Sequence, residues 1–384
     1  MSTRKAVSTR SAMYRDLCAR PQQEPLIRPS DVIPSDPRLQ VVGVLNPAFV
    51  SLDDRRYLVV RVDERPLISA SNHKGASKDP SSTLVARVNI VSSELEFYDV
   101  ATPESYSPEK EPILPETVRL AEVGSRRPDL LLSFISHLRV VELDGPQPLV
   151  RSAPDVFPTD EFSEYGCEDP RATVLEGHGL VTYTAISRHG ATAWLCRLKD
   201  GRIDGKRILL GPDHKHASLF TERVGGYYYM VARPLSRTYL RSSGIWLFRS
   251  ADLAHWGAPA PLLLPRDGMW DSQRIGPCAS PVLTPAGWVL FYYGVDAEDS
   301  YQVGAVLLDP LHPNRVIGRS TVPVLAPILE WERIGRRADT VFVCGVENSL
   351  EAGLLRLYYG AADTCIGIAE LKTSTLLDSL RERM

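Results

Sequence analysis

The stretch CASPVLTPAGWVLFYYGVD, residues 278–296, holds an apolar run, a turn around Pro285 and Gly287, and a second run that ends in aromatic and small residues. Four other stretches follow the same pattern: NPAFVSLDDRRYLVVRV (46–62), DPRATVLEGHGLVTYTA (169–185), HASLFTERVGGYYYMVARP (216–234) and DTVFVCGVENSLEAGLLRLYYGAAD (339–363). The last four begin at 169, 216, 278 and 339, so they are spaced 47, 62 and 61 residues apart. A hairpin of fixed pattern repeating at that spacing marks a β-propeller, whose blades are small antiparallel sheets that cannot bury both faces alone. The expected fold is all-β, a five-bladed β-propeller with an N-terminal arm and a short terminal helix. Polar residues sit at equivalent ends of the repeats: Asn46, Arg61, Asp169, His216, Arg233, Asp296, Asp339 and Asp363. Equivalent strand ends meet around one axis, so these residues are expected to share one pocket.

Composition narrows the class. The chain has 384 residues, 43% of them hydrophobic and 24% charged, with a formal net charge of −3. A neutral balance with no long basic block argues against a nucleic-acid partner. No apolar run approaches the ~18 residues of a membrane span. Arg4, Lys5 and Arg10 are followed by no apolar segment, so no secretory leader is expected. The six cysteines form no C-x-x-C pair and no zinc spacing. Several fall in expected strands, where a free thiol behaves as a small hydrophobe. A reducing, cytoplasmic setting is expected, with no metal and no cofactor.

Residues 1–40 read as an arm. SAMYRDLCAR (11–20) suggests a short helix started by Ser11 and stopped by Pro21. The arm is expected to be a surface tether or, alternatively, a homo-oligomer contact. Residues 41–384 form one propeller domain. Within it, 65–130 is irregular and loop-rich, with loops at 72–82 and 101–115. This region separates the first two repeats by 123 residues and is expected to hold a degenerate second blade with a long insertion. Strands at 193–198, 245–249, 303–308 and 366–371 complete the blades, and 373–383 reads as a helix at the end of the chain.

GCEDPR (166–171) opens a strand with two carboxylates, a proline and an arginine. In a regular strand Glu168 and Asp169 point to opposite faces. Pro170 supplies no donor and suits a strand start. Arg171 is placed to orient a carboxylate or bind an anion; equally, the motif reads as a blade-initiating turn with a surface ion pair. His73, His178, His255 and His312 read as solvated loop residues.

From here the chain resembles glycoside hydrolase family 130, five-bladed propeller enzymes acting on β-mannosides, mostly phosphorylases with some hydrolases. The likeness runs through LNPAFV (45–50), LVVRVDE (58–64), SEYGCEDPRATV (163–174), VTYTAISRHG (181–190) and HKHASLFTERVGGYYYMVARP (214–234). It continues through IWLFRSADLAHW (245–256), WDSQRIG (270–276), GWVLFYYGVD (287–296) and LYYGAADTCIGIAEL (357–371), in order and sensibly spaced.

The resemblance implies roles. Asp169 is the catalytic acid, passing a proton to the glycosidic oxygen through the O3 hydroxyl of mannose. Asn46, Arg61, Asp63 and Asp363 form the mannosyl site, with Arg171 and Asp296 as further substrate-binding candidates. Position 63 is often Glu in the family. Arg188, His189, Lys215 and Arg233 are the phosphate-binding candidates. Here the sequence departs from the family: N-K-D becomes His214-Lys215-His216, H-R-P becomes Ala232-Arg233-Pro234, and Y-H-G becomes Tyr292-Tyr293-Gly294. Two phosphate-contacting histidines are thereby absent, and His189, His214 and His216 are candidates to replace them. Phosphorolysis to α-mannose 1-phosphate stands ahead of hydrolysis by an inverting β-mannosidase. Hydrolysis requires a carboxylate base for water, for which Glu222 and Asp271 are the candidates. A catalytically inactive carbohydrate-binding propeller is the third reading. The partners implied are a β-mannoside oligosaccharide and, for a phosphorylase, inorganic phosphate as co-substrate.

Overall fold

The structure is a computed structural model and describes residues 16–67, 82–88, 92, 94–101, 117–120, 129–132, 134–235, 244–349 and 352–381. Each repeat forms the two innermost strands of one antiparallel blade. The first blade begins with β1 (Leu39–Leu52) and β2 (Arg55–Pro66). Two hairpins follow, β3 (Ser82–Val88) with β4 (Leu95–Ala101) and β5 (Thr117–Leu120) with β6 (Asp129–Leu132). The chain then returns to the first blade, adding β7 (Ile135–Glu142) and β8 (Leu149–Val150). The second blade runs β9 (Gly166–Leu175), β10 (His178–Ser187), β11 (Gly190–Lys199) and β12 (Arg202–Leu210). The third runs β13 (His214–Leu219), β14 (Tyr228–Pro234), β15 (Ile245–Ser250) and β16 (Gly257–Leu263). In the fourth, β17 (Arg274–Pro277) and β18 (Val282–Thr284) share the inner edge of β19 (Gly287–Val295), followed by β20 (Tyr301–Leu308) and β21 (Val316–Arg319). The fifth has β22 (Val341–Ser349), β23 (Leu354–Ala361) and β24 (Cys365–Lys372).

Hydrophobicity falls from the axis outward. Every residue of β19, GWVLFYYGV, is buried, because a blade close to the axis is packed on both faces by its neighbours. The outer strand β12 exposes Arg202, Asp204, Gly205 and Lys206. Five apolar clusters lie one between each pair of adjacent blades. Val59 and Val181 meet between blades one and two, Leu195 and Met230 between two and three, and Val231 and Leu290 between three and four. Phe291 and Leu357 meet between four and five, and Val60 and Ile366 close the ring between five and one. Each fully buried aliphatic side chain contributes roughly 1.5–3 kcal/mol, so the ring is held by inter-blade packing.

The expectation of an extra blade in 65–130 is corrected by this ring. Five interfaces join five blades, and the β3–β6 hairpins are an insertion within the first. Ala86 and Val88 of β3 pack against Leu39 and Ile135, so the hairpin leans on its own blade. Apart from their end residues Ser82 and Ala101, the loops expected at 72–82 and 101–115 lie outside the described residues.

The arm also differs from its reading. Of the helix expected at 11–20, residues 16–20 are not helical and the others lie outside the described residues. Ala19 bridges Glu370, and Ile27 bridges Ile366. The outer edge of β24 offers unpaired backbone groups, and the arm satisfies them in place of a fourth strand. Arg20 is drawn inward to Asp16, Glu332 (3.1 Å) and the Ala326 carbonyl (2.7 Å). A short helix, α1 (Glu330–Arg333), carries Glu332, and α2 (Thr373–Arg381) buries Leu376 and Leu380 against blades four and five. Among the described residues no helix is long and apolar enough to cross a membrane.

Candidate active site

Three adjacent blades break their innermost strands in the same way. Pairing shifts register after Leu45 in β1, between Arg171 and Glu168 in β9, and after Lys215 in β13. At these bulges Asn46, Asp169 and His216 take left-handed backbone angles, φ 50°, 50° and 58°. Such backbone costs about 1–3 kcal/mol for a non-glycine residue and collects at functional sites. The bulge also corrects the expected alternation. Glu168 and Asp169 do not diverge: both meet the Arg61 guanidinium, at 3.5 and 3.2 Å.

Asp169 is the hub. Its Oδ1 accepts from Asn46 Nδ2 at 2.7 Å and from Arg61 at 3.2 Å, and its Oδ2 lies 3.0 Å from His216 Nε2. Burial pushes the carboxyl up, but the His216 hydrogen bond and the charges of Arg61 and Lys215 outweigh it and hold Asp169 well below the usual carboxylate range. Burial, with Arg171 and Arg233 beside it, holds His216 well below its ordinary value despite Asp169. The resting pair is therefore a carboxylate and a neutral imidazole that donates Nε2–H. Close packing fixes Asn46: a Cβ on Gly360 of β23 would stand 2.4 Å from Asn46 Oδ1.

Charged groups surround this hub. Arg61 donates to Asp63 at 2.7 and 3.2 Å, and Asp63 also accepts from Ser136 and Arg336, each at 2.7 Å. Burial pushes Asp63 up, and the two arginines pull it below the ordinary value. Lys215 Nζ meets Glu168 at 3.1 Å. Arg233 stands opposite Lys215 in the β13–β14 ladder, and its buried Nε has no hydrogen-bond partner. Asp363, in the turn between β23 and β24, faces Arg61, Arg336 and Arg337; burial outweighs these charges and raises it to about 6.

Other candidates stand elsewhere. Arg171 does not orient the Asp169 carboxylate. Its guanidinium donates to the backbone carbonyls of Asp169 (2.9 Å), Pro170 (3.0 Å), Pro277 (3.3 Å) and Cys278, and lies over Phe342. It ties the bulge of blade two to blade four. Asp296 accepts from the Glu298 and Ser300 amides, both at 3.0 Å, and from Gln302, so it shapes the β19–β20 loop. Arg188 is at the β10–β11 turn, half-exposed, with a two-pronged grip on buried Glu164 at 2.8 Å. His189 follows it on the rim, against the Phe162 ring and 3.7 Å from Glu161. His214 is near the carbonyls of Gly211 and Pro212. Asp271 is fully buried in blade four, enclosed by Arg266 (2.8 Å), Arg319 (2.7 Å) and Tyr292 (2.9 Å). Glu222 is exposed in the turn at the far end of β13 from His216, roughly 15–20 Å along the strand. Among the described residues no group of three His, Cys, Asp or Glu side chains could hold a metal ion.

A family model described as beta-1,4-mannooligosaccharide phosphorylase matches residues 133–382. The chain is 30% identical to a beta-1,2-mannobiose phosphorylase of Listeria innocua over 94% of this chain and 97% of that one. The chain belongs to glycoside hydrolase family 130. Within family 130 it is also 36% identical to a 1,2-beta-oligomannan phosphorylase of Thermoanaerobacter sp., over 54% of this chain and 68% of the relative. The solved structure of the Listeria innocua enzyme, a beta-1,2-mannobiose complex, superposes with a TM-score of 0.82 at 29% identity, covering 95% of this chain and 99% of that one.

Three residues with a place in the site escape a reading by family 130 motifs. His216 reads as a stand-in phosphate donor, whereas it sits on Asp169. Arg336 completes the Asp63 cluster from the loop before blade five, and Glu164 holds Arg188. A run of arginines at 333, 336 and 337 is the one signal the sequence offers for Arg336.

Proposed function

We propose that this protein cleaves a terminal β-mannosyl linkage by phosphorolysis, with inversion, giving α-mannose 1-phosphate. Its first substrates are β-1,2-linked mannosides, as in the names of the similar phosphorylases. Asn46, Arg61, Asp63 and Asp363 hold the mannosyl unit. Asp169 supplies the proton through a hydroxyl of that unit. A phosphate oxygen forms the new bond to C1 as the bond from C1 to the glycosidic oxygen breaks, and the proton goes to that oxygen. Lys215, Arg233 and Arg188 balance the charge of the phosphate, a task suited to a point charge and two planar forks.

One contrast carries phosphorolysis over hydrolysis. Lys215 and Arg233 stand side by side on the strands next to Asp169, whereas Asp271 has its oxygens engaged in blade four and Glu222 lies at the far turn. Water without a base is a poor nucleophile, and an anion held by cations needs none.

The test is incubation with β-1,2- and β-1,4-mannobiose, with and without inorganic phosphate. Mannose 1-phosphate is expected only with phosphate, and faster from the 1,2 linkage. Lys215→Ala should raise KM for phosphate about tenfold or more with a smaller change in kcat, because a ground-state contact is removed. Free mannose released at the same rate without phosphate would overturn the reading.

A further inference from the structure

If Asp169 is the proton donor of the proposed phosphorolysis, a reading on which this inference rests, its surroundings set it a conflict. All three of its side-chain partners donate: Asn46 Nδ2, Arg61 and His216 Nε2. Three donors favour the carboxylate, yet a general acid must hold a proton. A protonated Asp169 needs a neighbour that can accept. Arg61 has no lone pair to offer. Turning the Asn46 amide over would bury two N–H groups against Gly360, where one oxygen now sits without a partner. Only the imidazole can change from donor to acceptor without moving, by shifting its proton from Nε2 to Nδ1.

We propose that His216 is the positioning partner through which Asp169 holds its proton: Nε2–H donates to the resting carboxylate, and in the other tautomer Nε2 accepts from the carboxylic acid. Asp169 Oδ2 gives its proton to the sugar hydroxyl as that hydroxyl's own proton passes to the glycosidic oxygen, and the imidazole returns to the Nε2–H form. Solvent restores the proton before the next turnover. His216 is held for this task. It is 6% exposed, its backbone amide donates to the Thr184 hydroxyl at 3.4 Å, and its ring is inclined 81° to Tyr293 and 64° to Phe342. Nδ1 is buried with no hydrogen-bond partner. An N–H there meets aromatic surface, a weak acceptor, so the accepting tautomer is the minor one and the site rests as a carboxylate. The charged and titratable groups near the ring are Asp169 and Arg171 from β9, Arg233 from β14, Tyr293 from β19 and Lys215 beside it in β13.

Two measurements test this. In the full-length protein labelled with nitrogen-15 in histidine, His216 should read as a neutral ring with Nε2–H between about pH 5 and 8, and Asp169→Asn should change its tautomer balance. An imidazolium at neutral pH, or no response to Asp169→Asn, overturns the proposal without any need for turnover. The kinetic arm uses His216→Asn, which tolerates the left-handed backbone, and His216→Gln, which restores reach but not tautomers. On mannobiose, kcat should fall about 10²-fold, with both KM values within about threefold of wild type. On a nitrophenyl β-mannoside, whose leaving group needs no proton, the loss should be under about fivefold. Equal losses on both substrates in variants that melt like wild type would show a packing role and sink the idea. Wild-type cleavage that ignores phosphate would refute phosphorolysis alone, because the ratio between the two substrates still reads His216.

Discussion

At the scale of single residues, Asp363 shows how backbone and charge combine. The turn that carries it has two left-handed residues, Ala362 at φ 48° and Asp363 at φ 50°, closed by a bond from the Thr364 amide to the Ala361 carbonyl. Asp tolerates that conformation better than most residues. The turn delivers the carboxylate to Arg61, Arg336 and Arg337, yet burial keeps it raised to about 6. The folded protein therefore binds a proton here that the unfolded chain has released. Stability should fall as pH rises from about 4 to about 6, the window between the two values. The shift corresponds to at most roughly 3 kcal/mol, and partial exposure reduces it to about 1 kcal/mol. Asp363→Asn, which keeps the turn, should melt with wild type below about pH 4 and above it at pH 8 by that margin. It should also raise KM for the sugar. A thermal melt series against pH decides, and an offset independent of pH would refute the assignment. This raised carboxyl was not legible in the sequence, because it depends on what is packed over a turn and not on the turn itself.

Among the elements, the arm is the one whose role the sequence conceals. SAMYRDLCAR has helical spacing, but β24 ends the fifth blade with an open edge, and edge pairing at Ala19 and Ile27 outweighs a short helix in water. Arg20 then bonds to Ala326 and Glu332 of the segment 326–340, which carries Arg336 and Arg337. Its side chain is 4% exposed, and that of Glu332 not at all. Removing one partner of a buried pair is costly because the other charge is stranded. Glu332 keeps Tyr359 and the Ile328 and Leu329 amides as donors, so Arg20→Ala should cost about 3 kcal/mol, the low end of the roughly 3–5 kcal/mol such a loss brings. A fall in Tm of about 5 °C is expected; an unchanged Tm would mean the arm is not part of the folded unit.

The whole molecule is a ring, and its charge is arranged around the axis. Blades one, two and three each bring one bulged residue to the centre, blade three adds Lys215 and Arg233 beside them, and blade two holds Arg188 half-exposed at its β10–β11 turn. A phosphate bound there joins groups from two blades and should stabilise the ring by mass action. At about a hundred times its Kd, phosphate adds about 2.7 kcal/mol. Calorimetry should show a phosphate-dependent rise in Tm of a few degrees that Lys215→Ala removes and sulfate only partly mimics. No rise at saturating phosphate would count against a phosphate site.

The sequence by itself determined the repeat. The period of the five hairpins, their apolar inner strands and their polar ends dictate blades around an axis, since no single blade buries both faces. It also brought Asn46, Arg61 and Asp169 together, because they occupy equivalent ends of the repeats, while Asp63 joined them through the resemblance to family 130. Tertiary structure decided which way each side chain turns. Local sequence does not reveal that Asp169 sits in a left-handed bulge, so strand alternation misplaces Glu168 relative to it. It does not reveal that Arg171 is occupied by carbonyls from blade four, since Cys278 is 107 residues away. His216 meets Asp169 for the same reason, across 47 residues. Such contacts follow from the closure of the ring, a property of all five interfaces together.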